Sequence, residues 1–481
     1  MKPKQNSRKQ SVLSHADRVA NQRENWISKN QYYYRDDRNY MRFLIQPGQR
    51  VLELGCGTGS LLANLLPAYG VGVDLSQRMI DLAQSQHANL NFIQGDVEDP
   101  DVLTKIKGHF DVIILSDTIG YLDDGIETLK HLHQFCTSDT RIIIAYYAWF
   151  WEPILKFGEK FGLKMSSVEM SWLSTDDLMN LLYLADFEPV KREWRQIFPK
   201  KLFGVGALIN RFIGTLPIIR RLSLRNYLVG RLVCNMSAEQ PSVSVIIPCR
   251  NEKGNIENAI KRLPKFCSDI EIIFVEGHSA DSTLTEINRV IDAYSDIDIK
   301  VFVQDGKGKG DAVRKGFANA RGDILMILDA DLTVPPEDLP KFYEAIVSGK
   351  GEFINGTRMV YPMQNQAMRF LNFLANRFFS LLFSWILNQR FTDTLCGTKA
   401  LTKKNYLRIE ANRSFFGDFD PFGDFDLIFG AAKLNLRIVE IPIPYAAREY
   451  GETQISRFRH GWLLLKMVIF AYRKMKIISC N

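Results

Sequence analysis

Residues 325–339 read LMILDADLTVPPEDL, and the break inside this stretch decides how the second half of the chain folds. Leu325, Met326, Ile327 and Leu328 form a short run with no polar member, the pattern of a parallel strand buried on both faces. Asp329 and Asp331 follow at once. Two carboxylates one residue apart repel each other at the mouth of a sheet, and no basic residue within the stretch offsets them. Their partner has to come from elsewhere. A hard divalent cation, Mg²⁺ or Mn²⁺, resolves the repulsion, because it takes one or two carboxylates and fills its shell with phosphate oxygens and water.

Outward from this stretch the same arrangement repeats. SVSVIIPCRNE (242–252), IEIIFVEGHSADST (270–283) and KGKGDAVRKGFANARGDILMILDADL (307–332) each pair an apolar strand with a polar turn and a helix. Repeated βα units imply a parallel sheet whose polar strand ends gather at one edge. There they bring together Glu252, Glu276, Asp281, Lys309, Asp329 and Asp331. The glycines and lysines of GKGKG (306–310) suit diphosphate oxygens.

A second series of βα units runs from Val51 to about Pro199 and places VLELGCGTG (51–59) between a strand and a helix. Gly55, Gly57 and Gly59 let the backbone turn tightly and approach a ligand with no Cβ in the way. The next strand ends in Asp74, where a carboxylate can accept from ribose hydroxyls. A third ends in Gly95-Asp96, suited to an exocyclic amine. The stretch SDTIGYLDD (116–124) offers Asp117 and Tyr121 where an acceptor would sit, and Asp117 reads either as a base or as a strand-end residue.

The chain has 481 residues, enough for two cores, with 46% hydrophobic and 24% charged residues, as in folded globular proteins. The net charge of +7 is modest and suits anionic partners or a solvated surface alike. Seven scattered cysteines without a CxxC pair fit a reducing cytoplasm and argue against a disulfide framework or a zinc site. The polar, basic N-terminus lacks the apolar core of a signal peptide and is expected to be a disordered arm. The expected divisions are an arm over 1–40, a first domain over 41–200, a basic apolar segment and linker over 201–241, a second domain over 242–460, and an amphipathic basic helix over 461–481.

VLELGCGTG, GVDLSQRMIDLA, FIQGDVED and FDVIILSD, in that order, resemble the motifs of class I S-adenosylmethionine-dependent methyltransferases over about residues 40–200. The resemblance implies a Rossmann-like domain in which Glu53 and the three glycines contact the methionine moiety, Asp74 the ribose, and Asp96 with Val97 the adenine. VIIPCRNE, VEGHSADST, the DADL stretch, NGTR (355–358), DTLCGTKAL (393–401) and IVEIPIPYAAREYGETQI (438–455) resemble the GT-A-fold, inverting family 2 glycosyltransferases that include dolichol-phosphate mannose synthase. That likeness covers about 242–460. It implies that Pro248, Arg250, Glu252 and Glu276 line a nucleoside pocket, that Asp329 and Asp331 hold the metal, with Asp331 also in the catalytic set, and that Lys309, Arg358 and Arg448 meet phosphates.

This chain departs from the family at VEGHS, where Gly277 replaces a second acid, at PCRNE in place of PTYNE, and at Gln454, where lipid-phosphate synthases commonly carry lysine. Asp424 falls where related transferases keep a catalytic acid; it reads either as that base or as a carboxylate favouring a helix N-terminus. FLNFLANRFFSLLFSWIL (370–387) and GWLLLKMVIFAYRKMKII (461–478) are too short or too charged for clean membrane spans, and read as interfacial helices or as a buried pair.

The sequence is therefore expected to be an α/β, two-domain, bifunctional enzyme, cytoplasmic and at the inner face of the cell membrane. It would transfer a sugar from a nucleotide sugar to a lipid-linked or glycan acceptor, using Mg²⁺ or Mn²⁺. It would also transfer a methyl group from S-adenosylmethionine in the same pathway. The alternative is an active glycosyltransferase whose first domain binds S-adenosylmethionine but is catalytically silent. No RNA-reading module accompanies the basic 202–233 segment, so no nucleic-acid partner is expected.

Overall fold

The computed structural model describes residues 7–168, 170–233, 240–361, 370–416, 423, 425–445, 448, 450 and 457–477. The chain forms two compact units, one from residues 1–233 with 476–481 and the other from 234–475.

The first unit is built on seven strands: β1 (Arg50–Leu54), β2 (Tyr69–Asp74), β3 (Asn91–Gln94), β4 (Val112–Ser116), β5 (Arg141–Tyr147), β6 (Phe187–Arg195) and β7 (Arg225–Leu232). Their order is β3-β2-β1-β4-β5-β7-β6, with β7 antiparallel to both neighbours. The strand order reverses between β1 and β4, and in an open parallel sheet that switch point opens a crevice at the carboxyl ends. The central strands are apolar because helices cover both faces: Leu52, Leu54, Ile113, Leu115, Ile142 and Ile144 are all fully buried. The helix Thr175–Leu184 begins with the capping box read from the sequence, Ser174 and Asp177 each satisfying the other's backbone N–H.

Two sequence expectations are corrected here. The N-terminal arm is not an arm. From Ser7 onward it folds as α1 (Ser7–Lys29) and α2 (Gln31–Leu44). The inward positions of α1 mix Lys and Arg with Val, Ala and Trp, so its face is not visible as an apolar stripe. The basic apolar segment placed outside the first domain also holds a strand, since Arg225–Leu232 is β7, inserted between β5 and β6. Its basic start, Arg225, is buried and ion-paired in the fold, where the sequence showed only another basic residue of that segment.

The second unit contains β8 (Val243–Cys249), β9 (Ile270–Glu276), β10 (Asp298–Val303), β11 (Ile324–Ile327), β12 (Phe353–Thr357), β13 (Lys399–Thr402) and β14 (Ile438–Pro442), in the order β10-β9-β8-β11-β13-β12-β14. Strands β8 to β11 pair in parallel, and β13 runs antiparallel to β11 and β12. Leu325 to Leu328 are completely buried, as their composition requires. The order reverses between β8 and β11, which sets the ends of those two strands, followed by Glu252 and by Asp329 and Asp331, at the second crevice.

The two segments read as interfacial or paired helices form Phe370–Leu387 and Arg457–Met475. They pack on each other: Trp385 and Tyr472 lie 5.5 Å apart, and Phe383, Ile386, Met467 and Ala471 are buried. Phe378, Leu381, Trp462 and Ile469 remain exposed on the pair. Among the described residues no helix is long and apolar enough to cross a membrane. Cys56, Cys136, Cys249, Cys267 and Cys396 carry free thiols.

Candidate active sites

In the first unit, Gly55, Gly57 and Gly59 all have positive φ, at 75°, 53° and 71°. A side chain at any of them would be strained, so the turn after β1 depends on glycine. The turn is fastened to the end of β2: Gly57 N donates to Asp74 Oδ2 at 2.8 Å, and Ser76 N donates to Asp74 Oδ1 at 3.0 Å. Burial pushes the Asp74 carboxyl up, and these two backbone donors oppose the shift.

A cavity of about 490 Å³ opens beside the turn, within the size range of small-ligand pockets. Of the residues singled out in the sequence, Gly55, Gly57, Asp74, Asp96, Val97, Asp117 and Tyr121 line it. Glu53 and Gly59 stand outside that lining. Glu53 is buried and accepts from Leu62 N at 3.1 Å, bracing the start of the next helix. Asp117 pairs with Arg225, which also holds Asp37 Oδ1 at 3.0 Å and Ser116 Oγ at 2.9 Å, and its backbone N–H donates to the Ala145 carbonyl at 2.8 Å. It follows β4 directly and lines the cavity, a position that suits both the base and the strand-end reading.

Helix α1, unforeseen in the sequence, makes one wall. Lys9, Val12, Ala16, Val19, Arg23 and Trp26 line the cavity at alternating spacings of three and four, the period of one helix face. The spacing was legible, but its mixed polarity hid it. The helix is tied over the glycine turn: Lys9 Nζ donates to Asp96 Oδ1 at 2.8 Å, Ser76 Oγ donates to Asp17 Oδ1 at 2.5 Å, and Thr58 Oγ1 donates to Glu24 Oε1 at 2.7 Å. A Cβ on Gly57 would press against the Arg23 guanidinium.

Burial pushes the Glu53 carboxyl up to about 8, with Arg23 and the Leu62 N–H opposing only in part. Between the ordinary carboxylate value and about pH 8, the ligand-free chain thus keeps a proton that an exposed glutamate has lost. A cationic ligand group nearby favours the charged form and expels that proton; above about pH 8 there is none left to expel. Calorimetry at neutral pH in buffers of different ionisation heats should show release of up to about one proton on binding of S-adenosylmethionine. Glu53→Gln should abolish the buffer dependence. An unchanged dependence in that variant would assign the proton elsewhere.

In the second unit the two aspartates that follow β11 each meet a basic side chain. Asp329 Oδ1 pairs with Lys309 Nζ at 2.6 Å, and Asp331 Oδ2 with Arg448 Nη2 at 2.6 Å. Arg448 also reaches Glu252 Oε1 at 3.3 Å. Burial would raise the Asp329 carboxyl, but Lys309 and the fully buried Lys399 outweigh it and hold it below the usual range. Burial raises Glu252, with Arg448 opposing. Sequence reasoning missed Lys399; a lysine at the start of a strand gives no sign of its burial. Gly397 comes so close to Asp329 and Lys309 that a Cβ there would collide with both.

Five of the residues expected in this site thus form two ion-paired groups, Lys309 with Asp329, and Arg448 with Asp331 and Glu252. Glu276 is buried and accepts from His278 N at 3.1 Å and Ser279 N at 2.6 Å, shaping the turn after β9. Pro248 is half-buried and Arg250 exposed. Arg358 is bonded to Asp393 through Nε at 2.7 Å and Nη2 at 3.0 Å and lies over the Tyr445 ring. Asp424 and Gln454 lie outside the described residues. Among the described residues no group of three or more His, Cys, Asp and Glu side chains is arranged to hold a metal. The donor set offered to a divalent ion is therefore Asp329 and Asp331, hard oxygens that fit Mg²⁺ or Mn²⁺ provided phosphate and water complete the shell.

Residues 26–192 match the family described as "Methyltransferase domain", and residues 244–407 match "Glycosyl transferase family 2". The dolichol-phosphate mannosyltransferase of Pyrococcus furiosus is 30% identical over 239 residues, 49% of this chain and 64% of that protein. The undecaprenyl-phosphate 4-deoxy-4-formamido-L-arabinose transferase of Klebsiella pneumoniae is 25% identical over 221 residues, 45% of this chain and 63% of that protein. The chain thus spans a little under two thirds of the length of these curated relatives. A crystal structure of a SAM-dependent methyltransferase from Thermotoga maritima aligns with a TM-score of 0.35 at 19% identity, covering 46% of this chain and 99% of that one.

Proposed function

We propose that this chain, which joins a methyltransferase domain over 26–192 to a family 2 glycosyltransferase domain of GT-A fold over 244–407, carries two activities and that both serve one lipid-linked glycan pathway at the cytoplasmic face of a membrane. The sugar transfer is inverting, draws on a nucleotide sugar and depends on Mg²⁺ or Mn²⁺. The first domain transfers a methyl group from S-adenosylmethionine held by the glycine turn, Asp74, Asp96 and Val97.

The observation that carries the sugar-transfer reading is the exchangeable charge at the end of β11. Lys309 pairs with Asp329 and Arg448 with Asp331. A donor diphosphate offers both cations a second acceptor, which frees the two carboxylates for a divalent ion. When bound, that ion neutralises charge on the leaving diphosphate. Lys309 and Arg448 would then orient the diphosphate by charge-assisted bonds. Glu276 and the turn it braces would border the nucleoside.

The names of the relatives favour a polyprenyl phosphate as acceptor. A phosphate is already ionised at neutral pH and needs no base, whereas a sugar hydroxyl must lose its proton as the bond forms. Steady-state transfer to a polyprenyl phosphate should therefore change little in Asp424→Asn, whereas Arg448→Ala, which strips a cation from the donor diphosphate, should lower transfer whatever the acceptor. A loss of about 10²–10⁴-fold in kcat for Asp424→Asn would overturn the phosphate reading and point to a hydroxyl acceptor.

A further inference from the structure

We propose that the first unit docks on an anionic membrane surface through the helix Glu152–Lys160 and the segment 198–222, and that its methyl acceptor is an amphiphile drawn from that surface into the cavity. The second clause rests on the methyltransferase reading; the docking does not.

The two segments carry a run of apolar side chains that the fold leaves uncovered. Phe157 and Phe161 are 61% and 64% exposed, Ile218 is 83% exposed and Phe203 is fully so, with Leu202, Val205, Leu208 and Phe212 also exposed between them. Single exposed leucines are ordinary, but such a concentration on one part of a surface marks an interaction site. The segments meet, since Trp151 Nε1 donates to the Leu222 carbonyl at 3.0 Å. Leu202 and Phe203 are held at φ 44° and 52°, a conformation unfavourable for bulky residues, and Phe203 packs on nothing in the fold.

Charge selects the occupant. Residues 198–222 contain no aspartate or glutamate, and Lys200, Lys201, Arg211, Arg220 and Arg221 are interleaved with Leu, Ile and Phe. Short helical turns with apolar tips and Lys/Arg between them match the boundary between acyl chains and anionic headgroups. An RNA would satisfy the cations but leave the aliphatic side chains in water.

The same surface reaches the cavity. Ile154, Phe157, Pro199 and Lys200 belong both to these segments and to the cavity lining, which continues to Asp74 and the glycine turn. A molecule anchored in the bilayer can thus present its polar end to the methyl donor without leaving the lipid. The chemistry is that of any such transfer: the S–CH₃ bond breaks as the acceptor's bond to CH₃ forms, the sulfide leaves neutral, and the acceptor's proton passes to water.

The test is flotation of the full chain with phosphatidylcholine vesicles, with and without phosphatidylglycerol, combined with hydrogen exchange on the bound protein. Binding should require phosphatidylglycerol, and residues 150–164 and 198–222 should gain protection. Arg211→Glu/Arg221→Glu should weaken binding roughly twentyfold or more, and Phe203→Ser/Phe212→Ser about tenfold or more. Both variants should retain S-adenosylmethionine binding by calorimetry, which shows the unit folded. Protection confined to other segments, vesicle binding unaffected by both variants, or a dimer or RNA complex that the same variants dissociate would each overturn the docking. A wild-type chain that docks but binds no S-adenosylmethionine would sink the methyltransferase reading and the amphiphile acceptor with it.

Discussion

Asp331→Ala is expected to lower sugar transfer at least about 1,000-fold, with Asp329→Ala equal to it and excess chelator doing the same to the parent chain. The size follows from where the carboxylates stand. They follow the central strand of the sheet, at the switch point, where Asp329 and Asp331 offer a divalent ion two hard donors. Without them the negative charge that develops on the leaving diphosphate is met by Lys309 and Arg448 alone. Folding should survive, because the Asp331–Arg448 pair is partly exposed and Arg448 keeps Glu252 at 3.3 Å. The loss should therefore appear in kcat with little change in Tm. Restoration by added Mg²⁺ or Mn²⁺ separates the parent chain from the variants. Full activity in excess chelator, or in Asp331→Ala, would show that the aspartates act only as partners of Lys309 and Arg448.

Deleting residues 1–29 should weaken S-adenosylmethionine binding by about 100-fold or more while leaving sugar transfer intact. Helix α1 supplies one wall of the cavity and sets Lys9 on Asp96 and Arg23 over the glycine turn. Its apolar anchor is small: Val19 and Ala20 pack on Met79, flanked by Leu82 and Met165. The helix thus adds little to the core and much to the site. Losing several charged hydrogen bonds at about 1.5–3 kcal/mol each, together with the wall that excludes water, gives the stated factor. Calorimetry on the truncated chain measures it, with circular dichroism and sugar transfer as controls for folding. Affinity within about fivefold of the parent's would show that α1 covers only the acceptor end of the cavity.

Both predictions separate what composition displays from what contact creates. The two α/β domains, the glycine turn with Asp74, and the carboxylates at the end of β11 were legible because each is local. A buried parallel strand must be apolar, a turn with positive φ selects glycine, and a polar strand end at a switch point shows in the sequence as an abrupt break. The resemblances to two enzyme families rest on these same local features.

Pairings between distant residues were not legible. Nothing in REYGETQI announces that Arg448 spans to Asp331 and Glu252, or in NGTR that Arg358 is held by Asp393. The basic start of β7 reads as part of a basic apolar segment outside the first domain until Asp37, Ser116 and Asp117 close around Arg225. The N-terminal residues read as an arm because a helix face that covers a ligand cavity is as polar as the cavity requires. The sequence by itself determined the two folds and the residues at their strand ends, since burial and backbone conformation constrain residue type position by position. Only the tertiary structure decided which charges meet, because an ion pair depends on where two distant segments come to rest, and the same lysine or arginine suits solvent, a carboxylate or a phosphate.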